Sequence, residues 1–167
     1  MRPPDATVPT EAEQHFVEQV ALLMEGDGLP RMAGRIYGWL LICDPPHQSA
    51  TDLARVLQAS KGSISTMTAL LIRAGLVERF ARPGDRRDYY RLRSGGMATL
   101  MREGMGRITA IRRAAEDGLK LVARQPAELR ERLSDFYDVM AFFEREYPAL
   151  LDRWEARRKR APARQAR

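Results

Sequence analysis

The stretch 49–92 constrains the fold of this 167-residue chain more than any other. Ser49 with Asp52 three residues on is a capping-box start, and a short helix follows to Leu57. Gln58, Ala59 and Ser60 make a tight turn. A second helix covers 61–74 and stops at Gly75. Two β-like runs, 76–80 and 88–92, flank the basic turn 81–87. Helix, turn, polar-faced helix and arginine-tipped hairpin predict a winged helix-turn-helix. That arrangement offers one helix to a major groove and one hairpin to the adjacent minor groove.

Outside this stretch the pattern is helical. Residues 1–10 hold three prolines and little apolar material, and are expected to be disordered. Phe16, Val20 and Leu23 fall at i, i+4 and i+7, giving an amphipathic first helix that Gly26 and Gly28 end. Pro30 opens a helix over 31–43 that is apolar nearly all round and so reads as central and buried. After Gly95-Gly96 a long helix is expected over 97–124. Beyond Gln125-Pro126, apolar residues at 129, 133, 136, 140, 143, 147, 150 and 154 follow a heptad, with a kink or restart expected at Pro148. These helices exceed what a lone winged helix needs, and the simplest use for them is dimerisation. The expected interface residues are Phe16, Val20, Leu129, Leu133, Phe136, Met140 and Phe143. The fold class is thus mainly α with a small β-wing, flanked by N- and C-terminal dimerisation helices. The expected division is a disordered 1–10, a dimerisation helix 11–28, the winged helix-turn-helix 29–95, dimerisation helices 96–158 and a basic disordered tail 159–167.

Charge narrows the partner. The chain carries 28 basic and 22 acidic side chains, a formal charge of +6. Arg79, Arg82, Arg86, Arg87, Arg91 and Arg93 crowd the hairpin, and the tail is basic too. Such local excess suits a polyanion. No run of about 18 apolar residues offers a membrane span, and no secretory signal opens the chain, so the cytoplasm is expected. One cysteine, Cys43, excludes an intramolecular disulfide framework.

Within the second helix of the motif, Ile64, Met67 and Leu71 share the core face. Ser60, Lys61, Gly62, Ser63, Ser65 and Thr66 are left near the helix start, where small hydroxyls and a free N-terminus suit phosphates and base edges. In the hairpin, Asp85 can brace Arg87 by a charge-assisted bond, so Arg87 is the minor-groove candidate, with Arg82 and Arg86 for phosphates. Cys43 and His47 have a C-x₃-H spacing but no second ligand pair, and no metal or other cofactor is expected. Aromatic side chains serve packing, or some of them, Tyr37, Trp39 and Tyr137, line an effector cavity. No nucleophile–base set is offered, so the chain does not read as an enzyme.

These residues resemble the MarR family of winged-helix transcriptional regulators. The likeness lies in Leu53-Ala54, the hydroxyl-rich 60–66, Gly75-Leu76-Val77-Glu78-Arg79 and Asp85-Arg86-Arg87. The stretches 28–35, 44–46 and 59–65 resemble its GbsR-like branch. The resemblance implies a homodimeric regulator, often a repressor, on a pseudopalindromic operator. It places recognition-helix contacts at Ser60, Lys61, Ser63 and Thr66 and the wing arginine at Arg87. Thr66 departs from the pattern, standing where the family usually has a basic residue. The expected partners are therefore double-stranded DNA, a second copy of the chain and a small-molecule effector. The alternative is a winged-helix module that binds a protein without specific DNA binding.

Overall fold

A computed structural model describes residues 8–160. In chain order the elements are α1 (Glu11–Gly26), α2 (Arg31–Ile42), β1 (Gln48–Ser49), α3 (Ala50–Val56), α4 (Lys61–Arg73), β2 (Val77–Ala81), β3 (Asp88–Leu92), α5 (Gly96–Leu121) and α6 (Ala127–Arg160). The expected fold class, mainly α with a small β-wing, is what the chain adopts. The described residues divide into two compact units, one ending at Met97 and the other beginning at Ala98. Among the described residues no helix is long and apolar enough to cross a membrane.

In the first unit α2 is the central element. Ala33, Ile36, Tyr37, Trp39 and Leu40 are buried, and α1 lies along one side of α2. Glycine makes that approach possible: a Cβ on Gly34 would stand 2.7 Å from the Ala21 Cα, and one on Gly38 3.1 Å from the Val20 Cβ. The face of α1 turned to the core is therefore Val17, Ala21 and Met24. The 16–20–23 stripe, from which the interface residues Phe16 and Val20 are expected, is a different one. Phe16 and Val20 are half-buried at the margin of the core face, and Leu23 is 73% exposed. Thr10 caps α1 in a full capping box with Glu13, and Ser49 caps α3 likewise with Asp52. Ser49 Oγ and Asp52 Oδ2 are 2.6 Å apart.

The sheet runs β1-β3-β2, antiparallel throughout. Its two-residue first strand was too short for any periodicity to reveal. Arg93 N donates to Leu76 O at 2.9 Å, closing the hairpin onto the end of α4. Gly96 opens α5 against this corner, where a Cβ would meet the Gly75 carbonyl oxygen at 2.5 Å.

In the second unit α5 and α6 are joined by side chains. Glu144 accepts from Thr109 Oγ1 at 2.7 Å and from Arg112, and Arg102 reaches Asp152 and Glu155, both at 3.0 Å. Two expectations for α6 are corrected. The helix does not restart at Pro148 but continues through it. The ring removes a single backbone donor, and helix-forming neighbours such as Leu150, Leu151 and Glu146 carry the flanking turns. At the C-terminus Lys159 and Arg160 are helical. The rest of the expected disordered tail, and residues 1–7 of the expected disordered N-terminus, lie outside the described residues.

Candidate nucleic-acid interface

Helix α4 begins at a capped, open end. Ser60 is the N-cap, and its Oγ accepts from Ser63 N at 3.1 Å. Lys61, Gly62, Ser65 and Thr66 are exposed, and Ser63 is half-buried. A Cβ at Gly62 would meet nothing closer than 3.9 Å, so the helix start presents bare backbone to whatever approaches. The opposite face is anchored by Ile64, Thr68 and Leu71, all buried. Thr68 Oγ1 donates back to the Ile64 carbonyl at 2.8 Å, which lets a hydroxyl sit in the core.

The wing tip is held by one carboxylate. Asp85 accepts from Arg87 N at 3.0 Å, from Arg87 Nε at 3.1 Å and from Arg87 Nη2 at 2.7 Å. Tyr89 Oη donates to the same group at 2.8 Å. The Arg87 side-chain bonds, then its backbone N–H, hold the Asp85 carboxyl well below the usual carboxylate range. The side-chain bonds to Asp85 raise Arg87 above its ordinary value, and the charges of Asp85, Tyr89 and Asp52 add to this. Gly84, with φ +79°, supplies the left-handed residue that the turn needs. Arg86 is exposed and has no ion-pair partner among the described residues.

Beneath the tip lies an aromatic base that sequence reasoning missed. The His47 ring stands edge-on to Phe80 (5.6 Å) and Tyr89 (5.5 Å). Arg82 packs its guanidinium against His47 Nε2, with its Cζ 4.7 Å from the Tyr89 ring centroid. Cys43 is buried at the end of α2, where burial pushes its thiol up to about 11. Across the strands Glu78 pairs with Arg91 at 2.5 Å and Arg79 with Asp88 at 3.3 Å. A groove between α4 and the hairpin also gathers Arg73, Arg79 and Arg93 with Ser65 and Ala69. Arg73 was not singled out by sequence, because its charge falls on a helix rather than in the basic turn.

The expected effector aromatics are not brought together in one unit. Tyr37 and Trp39 are buried on α2 in the first, and Tyr137 belongs to the second, its ring 5.9 Å from the Arg112 Cζ. The first unit has a cavity of about 290 Å³ whose walls include Val17, Arg35, Trp39, Arg55, Leu57 and Gln58.

Comparisons with known proteins agree with this geometry. Residues 40–89 match the MarR family, and residues 95–157 match the MmpR5-like MarR family transcriptional regulators. The chain is 40% identical over 142 residues to the HTH-type transcriptional regulator MmpR5 of Mycobacterium tuberculosis, covering 85% of this chain and 86% of that protein. It is also similar to a crystal structure of a transcriptional regulator at 39% identity and a TM-score of 0.63, covering 87% of this chain and 99% of the other. Such regulators act by binding DNA and are not normally enzymes. The chain belongs to the MarR family of winged-helix, DNA-binding transcriptional regulators.

Proposed function

We propose that the chain is a repressor that acts as a homodimer on a pseudopalindromic operator. The carrying observation is the wing tip, where Arg87 is held by three side-chain and backbone donors on one carboxylate. A guanidinium so held enters a narrow minor groove with less freedom to lose. The exposed start of α4, from Ser60 to Thr66, supplies the major-groove reader, with Lys61, Arg82 and Arg86 on phosphates. Placement in the GbsR-like branch rests on residues 28–35, 44–46 and 59–65. The expected division into interface helices and a DNA-binding core belongs to the same reading, as does its location in the cytoplasm.

Release by a small-molecule effector completes the proposal. The 290 Å³ cavity supports it, since Gln58 on its wall adjoins the turn that leads into α4. Of the expected aromatics, Trp39 lines this cavity and Tyr37 does not.

Footprinting on the DNA upstream of the gene tests the function. A protected region with two half-sites about one helical turn apart, ~34 Å, is the expected result. Affinity for that duplex should fall by ~10³ or more between 50 and 200 mM salt, as arginines displace condensed counterions. Binding that ignores salt would refute the electrostatic basis of the proposal.

A further inference from the structure

We propose that Tyr89 is a positioning residue for the wing cations, fixing the direction in which Arg87 and Arg82 are presented to DNA. The proposal rests on the DNA-binding reading of the wing. Tyr89 sits in the middle strand of the sheet, paired with Ser49 of β1 on one side and Phe80 of β2 on the other. Its backbone is pinned from both sides, and its side chain is 4% exposed. Ser49 is also the N-cap of α3, so the pedestal is built into the start of the helix-turn-helix.

From that pedestal two contacts reach the tip. The phenol donates to Asp85 Oδ2 at 2.8 Å, and Asp85 in turn holds Arg87. The ring lies under both guanidinium groups, with the Arg82 Cζ at 4.7 Å and the Arg87 Cζ at 5.4 Å from its centroid. The phenol is a donor at neutral pH, and burial followed by its bond to Asp85 raises its pKa further from that range.

The tie to Tyr89 matters because an exposed ion pair alone fixes little. Asp85 and Arg87 both stand on the turn 82–87, and a pair within a turn moves with the turn. Gly84 lies in it. Only a bond to an anchored group outside the turn sets the turn's direction. Tyr89 Oη makes such a bond to Asp85, as His47 does to Arg82, and His47 and Phe80 pack the tyrosine ring from the edge and side.

The test uses a duplex selected from a random library by the wild-type protein. Affinities are measured for wild type, Tyr89→Phe, Asp85→Asn, Arg87→Ala and the double variant Tyr89→Phe/Arg87→Ala, with thermal melts alongside. Arg87→Ala should lose about tenfold or more, in the range of one specific contact. Tyr89→Phe keeps the ring and should lose about three- to tenfold, as for one hydrogen bond. Asp85→Asn removes the charge and one acceptor oxygen of the same chain of contacts from outside the sheet and should lose a similar amount, whatever Tyr89→Phe does to folding. The double variant keeps the ring under Arg82 and should bind no more weakly than Arg87→Ala. A purely structural tyrosine would not show that non-additivity. Additive losses in the double variant, or wild-type affinity in both Tyr89→Phe and Asp85→Asn while Arg87→Ala is weakened, would overturn the positioning role. Selection of no sequence by wild type, or wild-type affinity in Arg87→Ala, would overturn the DNA reading of the wing and this proposal with it.

Discussion

His47 shows how one side chain ties pH to the wing. Burial, followed by the charges of Arg82 and Arg91, lowers its pKa from the ordinary 6.5. The unfolded chain therefore binds a proton at His47 more readily than the folded one. Stability rises with pH wherever the unfolded state holds more protons. The contribution of His47 is thus complete above pH 6.5 and is lost as pH falls through the lowered value. The melting temperature of wild type should drop between pH 7 and pH 5 by more than that of His47→Gln, which has no imidazole to charge. Equal slopes for the two would show that His47 titrates as it does in the unfolded chain. The Asp85–Arg87 brace was legible in the sequence because its partners are two residues apart in one turn. The contact of His47 with Arg82 spans 35 residues and depends on the β1-β3-β2 order, which no local pattern encodes.

At the scale of elements, glycines separate close packing from open surface. Gly34 in α2 lets α1 approach until a Cβ would stand 2.7 Å from the Ala21 Cα. Gly106 in α5 has nothing within 4 Å of the same position. Replacing glycine by alanine within a helix gains up to about 1 kcal/mol in propensity. At Gly106 that gain is unopposed, and Gly106→Ala should stabilise by roughly 0.5–1 kcal/mol. At Gly34 the neighbour is backbone, so the two helices must part, and overpacking of this kind costs about 1–3 kcal/mol. Gly34→Ala should therefore destabilise despite its better propensity, and denaturant unfolding of both variants checks the opposite signs. The helices themselves were readable, because capping signals at Ser49 and stops at Gly26, Gly28 and Gly75 are local. The buried face of α1 was not. The periodicity marked only the apolar stripe Phe16, Val20 and Leu23, whereas the core takes Val17, Ala21 and Met24, of which Ala21 and Val17 lie against Gly34 and Gly38 of α2.

For the whole molecule, the apolar side chains of the second unit exceed what one chain covers. In α6 only Leu151 is buried, while Leu129, Phe136, Val139, Phe142, Phe143, Leu150 and Trp154 are exposed. Exposed large apolar side chains in such number along one helix are what the proposed homodimer would cover. The heptad spacing that runs through Leu129, Leu133, Phe136, Met140 and Phe143 is the spacing with which helices of two chains pack. Full burial of one such side chain is worth about 1.5–3 kcal/mol, and several together outweigh the cost of association. Phe136 makes the sharpest test, because 47% of it is open in the single chain. Phe136→Glu should leave the helical signal in circular dichroism intact and shift the species seen by light scattering from dimer to monomer. It should also abolish tight binding to a duplex with two half-sites, while a single half-site is bound as weakly as by wild type. If Phe136→Glu stays dimeric at micromolar concentration, the heptad face of α6 is not the interface. If wild type itself is monomeric there, the two recognition helices are not paired through this unit at all.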